Sequence, residues 1–206
     1  MSENNNRWFW GAAFGLGAAA VLTAAARARR RFDFAGRVVL VTGGSRGLGL
    51  VMARELAREG ARLAVCARDG AELARARDEL QTNGAEVFDV ICDLRDQSQV
   101  NRMIEDVLTR FGRIDVLINN AGVIQVGPLE VQTQEDFENA MAIHFWAPFY
   151  ATQAVLPQMR RQGEGRIVNV ASIGGKVAVP HLAPYCASKF ALVGLSQALR
   201  GELAKD

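Results

Sequence analysis

Tyr185 and Lys189 stand four residues apart in a stretch with helical spacing, and that interval has direct chemical consequences. Residues at i and i+4 project from one helix face, so an ammonium is held near a phenol. A nearby cation favours the phenolate, which lets the phenol give or take a proton near neutral pH. Ser172 ends a β-branched run thirteen residues upstream of Tyr185. Its hydroxyl could hydrogen-bond a substrate oxygen as charge develops there. In isolation the tyrosine and lysine also suit an ordinary amphipathic helix. The second chemical feature is the run Thr42, Gly43, Gly44, Ser45, Arg46, Gly47, Leu48, Gly49. Glycines let the backbone turn tightly against a pyrophosphate, which then sits at the positive N-terminus of the next helix. Glycine-rich turns are common, and the strand before and helix after give this one its meaning.

Those residues need a scaffold, and the rest of the chain describes one. From Arg37 onward, short β-branched runs alternate with longer helical stretches. RVVLVTG, RLAVCAR, EVFDVICD, RIDVLINNAG and GRIVNVAS read as five strands. Between them lie a helix closed by Gly60, a charged helix through Leu80, a third over Gln97–Phe111 and a long helical region over about 133–162. Pro148 and Pro157 should bend that region or end it early, because each lacks an N–H. A last helix is expected over about 184–205. This alternation predicts an α/β fold, a doubly wound parallel sheet of Rossmann type with helices on both faces.

The motifs in order resemble the short-chain dehydrogenase/reductase family. The glycine loop is similar to its TGxxxGxG, Asn119-Asn120-Ala121-Gly122 to its NNAG, and Ser172, Tyr185 and Lys189 to its Ser…Tyr-x-x-x-Lys. The likeness covers nearly everything from Arg37 to the end. It implies hydride transfer between a nicotinamide cofactor and a carbonyl or secondary alcohol, with Tyr185 as acid/base and Ser172 on the substrate oxygen. Lys189 would also bind the nicotinamide ribose. The implied cofactor contacts are Gly43, Ser45, Arg46, Gly47, Leu48, Gly49, Arg68, Asp93, Asn120, Ala121, Gly122, Tyr185 and Lys189. For Asp93, turn formation is the competing role. A sugar-nucleotide epimerase on a related fold is disfavoured, since such relatives read TGxxGxxG.

Cofactor choice rests on the end of the second strand. An acidic residue there would hold the 2′-hydroxyl of NAD, and arginines would accommodate the 2′-phosphate of NADP. Ala67 is followed by Arg68, with Arg46 in the glycine loop, so NADP is expected; Asp69 keeps NAD possible. Two departures from the family pattern stand out. His144 occupies the place of an asparagine that relays protons, and is either its substitute or a satisfied interior histidine. The chain also stops at Asp206, soon after Tyr185, which suggests a C-terminally truncated domain. A cofactor-binding but inactive domain, acting through an anchor or a partner, is therefore the alternative function. Family resemblance further implies a homo-oligomer.

Composition narrows the field. Net charge is +2, which gives no global reason to expect nucleic acid. His144 and His181 lack neighbours for a metal site, so no metal is expected. Cys66, Cys92 and Cys186 form no CxxC, and the first two read as small hydrophobes. Cys186, beside Tyr185, is either a packing residue or a reactive thiol. Residues 1–31 read as a membrane-anchor segment ahead of a domain over 32–206. Trp8 to Ala26 carry no charge, enough for roughly 28 Å of helix, and Arg27, Arg29, Arg30 and Arg31 follow. An anchored domain on the cytoplasmic side is expected, and lipophilic substrates would suit it. A cleaved signal and a surface or buried helix in a cytoplasmic protein are the competing readings. Gly11 and Gly15 make a GxxxG of little weight.

Overall fold

The computed structural model describes residues 32–204. The expected apolar anchor over 8–26 lies outside the described residues. Among the described residues, no helix is long and apolar enough to cross a membrane.

Five parallel strands form one sheet in the order β3-β2-β1-β4-β5. They are β1 (Val38–Thr42), β2 (Arg62–Ala67), β3 (Val87–Ile91), β4 (Val116–Asn119) and β5 (Arg166–Asn169). The helices are α1 (Gly47–Arg58), α2 (Gly70–Thr82), α3 (Gln97–Phe111), α4 (Gln134–Met141), α5 (Ala147–Gln162) and α6 (Ala183–Glu202). The expected alternation is therefore present. Every residue of β1 is buried, as a central strand covered on both faces requires. Alternate residues serve opposite faces. Val38 and Leu40 join Ala64, Cys66 and Leu117 in a core with Val100, Met103, Ile104 and Val107 of α3 and Ala151, Val155 and Met159 of α5. Val39, Val41, Leu63 and Val65 are equally buried and point the other way, where α1 and α2 supply Ala53, Leu56, Leu73 and Ala76. Burial pushes the Cys66 thiol up to about 12 and the Cys92 thiol up to about 11. Both behave as core atoms.

From β1 the sheet grows to β2 and β3, then the chain returns past β1 to build β4 and β5. The order reverses between β1 and β4, and ligands of open α/β sheets bind outside the strand ends at such a point. The glycine loop leaves β1 there, beside the segment leaving β4. β3 and β5 are the edge strands, and Val168 on β5 is 44% exposed.

The prolines do not end the helical region. Helical backbone runs from Gln134 to Gln162 without ending. Ala142–Trp146 forms a wider, π-type turn in which the Ala147 N–H reaches the Ala142 carbonyl. Pro148 follows in the first turn of α5, where its missing N–H is absorbed by that turn. Pro157 lies within α5, which continues to a left-handed cap at Gly163.

At the opposite end of the strands, buried Asp115 accepts the Val38 N–H at 2.8 Å and Arg37 Nη1 at 3.0 Å. Arg113 pairs with the same carboxylate, and Glu164 bridges both arginines. Burial acts to raise the Asp115 carboxyl, but these bonds outweigh it and hold it below its ordinary value. The cluster ties β1, β4 and the start of β5 together.

Candidate active site

The glycine loop is built by close approach. Gly43 and Gly47 take positive φ (68° and 55°), the left-handed region that favours glycine. A Cβ on Gly49 would lie 2.1 Å from the Gly43 carbonyl oxygen and 2.6 Å from Asn120 Nδ2, so no side chain fits. Thr42 and Asn120 lock the loop to the neighbouring strand end. Thr42 Oγ1 accepts the N–H groups of Asn120 (2.9 Å) and Ala121 (3.1 Å). Asn120 Nδ2 donates to the carbonyls of Thr42 (3.0 Å) and Gly43 (3.3 Å). Asn120 therefore braces the cradle.

α2 and α3 are capped by Asp69 and Asp96, whereas Arg46 at the start of α1 makes no capping bond and no acid stands in that first turn. The N–H groups of α1 thus open onto the cleft without a side-chain partner, which suits an anion. The cleft encloses about 880 Å³. Its walls include the expected Gly43, Ser45, Arg46, Gly47, Leu48, Gly49, Arg68, Asn120, Ala121, Gly122, His144, Tyr185 and Lys189. A dinucleotide fits this donor set: glycine backbone and an uncapped helix for the phosphates, guanidiniums at one end, and the Tyr185–Lys189 pair at the other.

Two expected contacts fall elsewhere. Asp93 does not line the cleft; Cys92 and Leu94 on either side of it do. Its carboxylate accepts Arg95 Nη2 at 2.6 Å and the Arg95 N–H at 3.1 Å. Those bonds hold its pKa below the ordinary value. The turn-forming role is the one its geometry shows. Ser172 also stands outside the lining, at the head of the short turn Ile173–Gly175, where its Oγ accepts the Gly174 N–H at 3.1 Å. That turn packs on Tyr185: a Cβ on Gly174 would lie 3.0 Å from Tyr185 Cε1. A hydroxyl that accepts one bond still has its own proton to donate.

α6 carries half-buried Tyr185 and buried Lys189 into the cleft. Lys189 Nζ donates to the Val170 carbonyl at 2.9 Å and lies 5.8 Å from the centre of the Tyr185 ring. Desolvation lowers the Lys189 pKa. The carbonyl partly offsets the cost of burying the charge and leaves two N–H donors for other partners. Asn119 fixes the helix from below: its Nδ2 donates to Asn169 Oδ1, and Asn169 Nδ2 donates to Ser196 Oγ, each at 2.8 Å.

His144 sits on the π-type turn, 1% exposed, its ring edge-on to Tyr185 at 5.4 Å. The Val123 N–H donates to Nε2 at 3.1 Å, so Nε2 carries no proton. Nδ1 then carries it and donates to Ser188 Oγ at 2.8 Å; Ser188 in turn donates to the Tyr185 carbonyl at 2.9 Å. Gly122 packs closely beside it, and a Cβ there would meet Nε2 at 3.0 Å, a tight contact. Desolvation, then the charge of Lys189, lowers His144 to about 3. Of the two sequence expectations, this geometry matches the satisfied interior histidine. A relay needs a ring nitrogen free to exchange a proton, and both are engaged within the protein.

Ser188 and Glu72 have no place in the sequence reading, and Thr42 enters it only as the head of the glycine motif. Thr42 heads the glycine motif and Ser188 lies within Tyr185–Lys189, so position was their one available signal. Among the described residues no group of three or more His, Cys, Asp or Glu could hold a metal.

The chain is similar to proteins of known fold and activity. It is 36% identical to gluconate 5-dehydrogenase of Gluconobacter oxydans over 168 residues, 82% of this chain and 66% of that one. A short chain dehydrogenase/reductase from Burkholderia phymatum in complex with NAD superposes with a TM-score of 0.82 at 33% identity. That match covers 85% of this chain and 63% of the other. A metagenomic short-chain oxidoreductase in complex with NADP gives 0.80 at 36% identity, over 84% of this chain and 79% of the other. Matches to curated relatives span between 48% and 67% of those relatives' own length. The model for short chain dehydrogenases matches residues 37–206, and the chain belongs to that family.

Proposed function

We propose that this chain carries the core of an oxidoreductase that transfers a hydride between NADP(H) and a carbonyl or secondary-alcohol substrate, with Tyr185 as general acid/base. One observation carries the reading: the Tyr185–Lys189 pair, the glycine loop and the uncapped start of α1 line the same cleft. A bound nicotinamide supplies or accepts the hydride. Tyr185 gives its hydroxyl proton to the substrate oxygen in reduction and takes one in oxidation. Lys189, fixed by Val170, places positive charge beside the phenol and has donors left for ribose hydroxyls. Ser172, whose Oγ accepts the Gly174 N–H, retains a proton to donate to the substrate oxygen.

NADP is preferred in this proposal because Ala67 offers no carboxylate at the end of β2 while Arg46 and Arg68 flank it. The capping bond of Asp69 to the Glu72 N–H, at 2.9 Å, engages the acid that would otherwise favour NAD. The proposed substrate is a small carbonyl or alcohol, and a lipophilic one suits Ile124, an exposed apolar residue on the cleft wall. Anchoring through residues 8–26 with the domain on the cytoplasmic side is part of the same proposal, as is self-association.

A second reading, nucleotide binding without turnover, is favoured by the absence of Ser172 from the cleft lining. NADPH consumption over a panel of carbonyl compounds, with Tyr185→Phe as control, separates the two. Tyrosine-dependent turnover supports the enzyme; NADPH binding with no turnover on any compound supports the second reading.

A further inference from the structure

Glu72 has a geometry that helix capping does not explain. It stands in the first turn of α2, where a carboxylate complements the helix dipole. Its carboxylate nevertheless turns to the glycine loop. Oε2 accepts Ser45 Oγ at 3.4 Å, and Oε1 accepts Arg46 Nη1 at 3.2 Å. The Arg46 side chain is 80% exposed and that of Glu72 only 26%, so the carboxylate is the better-embedded partner. Both line the end of the cleft formed by Ala67, Arg68 and Asp69, where the adenosine ribose of a dinucleotide falls.

Resting on the function proposed above, we infer that Glu72 determines how strongly the site discriminates between NADP and NAD. Glu72 is a built-in anion that occupies Arg46 when no 2′-phosphate is present. A 2′-phosphate brings more charge and a geometry that a guanidinium can grip with two N–H groups, so it displaces the carboxylate from Arg46. The displaced Glu72 remains close by and repels the phosphate. NADP affinity is therefore held below what Arg46 and Arg68 alone would give. NAD, which has only a hydroxyl at that position, leaves the Glu72–Arg46 pair in place.

The test is the dissociation constants of NADPH and NADH, read by fluorescence titration of the full chain at low salt, for wild type, Glu72→Gln and Arg46→Ala. Partly exposed ion pairs of this kind correspond to a change of roughly three- to fivefold in affinity. Glu72→Gln should tighten NADPH by about that factor and leave NADH within about twofold. The gain should shrink in 0.5 M salt, where the Debye length is only a few ångströms, and should fall in the Arg46→Ala background, since the two residues act on each other. Unchanged NADPH affinity in Glu72→Gln overturns the inference and leaves the function intact. Weakened NADH binding without tighter NADPH also overturns it, because Glu72 would then be accepting from the ribose hydroxyls. A wild-type chain that binds neither nucleotide removes the functional reading and this inference with it. Matching thermal melts of wild type and Glu72→Gln establish that the fold is unaltered.

Discussion

Replacing His144 with asparagine should remove a specific part of the acid sensitivity of this fold. In the folded chain His144 stays neutral down to about pH 3, whereas the ordinary imidazole value is 6.5. The folded value is lowered, so the stabilisation is complete above pH 6.5 and declines as pH falls below it. In that window the unfolded chain takes up a proton that the folded chain refuses. One proton is worth about 1.4 kcal/mol per pH unit. Between pH 7 and pH 5 the wild type should therefore lose about 2 kcal/mol through this residue alone. Asparagine does not titrate and keeps an amide that can serve Val123 or Ser188. The assay is urea denaturation of both proteins at pH 7 and pH 5, with the difference of differences cancelling every other group. His144→Asn should be less stable at pH 7, through lost packing against Tyr185 and Gly122, yet less sensitive to acid. Parallel pH dependences would refute the reasoning, because they would mean that His144 protonates in the folded chain as readily as in the unfolded one.

Three further outcomes are expected. Gly49→Ala forces a Cβ to within 2.1 Å of the Gly43 carbonyl, so the cradle must shift; NADPH affinity should fall by roughly tenfold or more in a fluorescence titration. Asp115→Ala leaves the buried Val38 N–H without its acceptor and removes one carboxylate partner of Arg37 and Arg113, which should cost about 1–3 kcal/mol in denaturant unfolding. A fluorescent protein fused after residue 31 should remain with membranes through carbonate washing, and its full release would contradict an anchoring role for residues 8–26.

The scaffold was readable because its signals are local. Buried β-branched runs and glycine stops each act within a few residues, and five strands with their helices follow from them. Site residues set by backbone motifs were readable for the same reason: Gly43, Gly47 and Gly49 are required by positive φ or contact. What escaped depends on partners distant in the chain. The Lys189 ammonium meets the carbonyl of Val170, and no side-chain type announces a carbonyl. Pro148 looked like a helix breaker because the missing N–H is visible in sequence, whereas the π-type turn that absorbs it is a property of the packed backbone. For Asp93 the sequence leaves a ligand contact and a turn role open, and the Arg95 side chain that engages its carboxylate lies two residues on. His144 left two roles open in the sequence, and the Val123 N–H and Ser188 hydroxyl that occupy its ring come from two other segments.

The phenol of Tyr185 must share its cleft with the nucleotide for the proposed chemistry, and fluorine NMR reads that relation directly. The chain has two tyrosines, so 3-fluorotyrosine labelling gives two resonances, assigned with Tyr150→Phe. Titration with NADP⁺ should move the Tyr185 resonance along a saturating curve with the dissociation constant found by fluorescence, while Tyr150 on α5 stays in place. A nucleotide that binds and leaves the Tyr185 resonance unmoved would contradict the central claim.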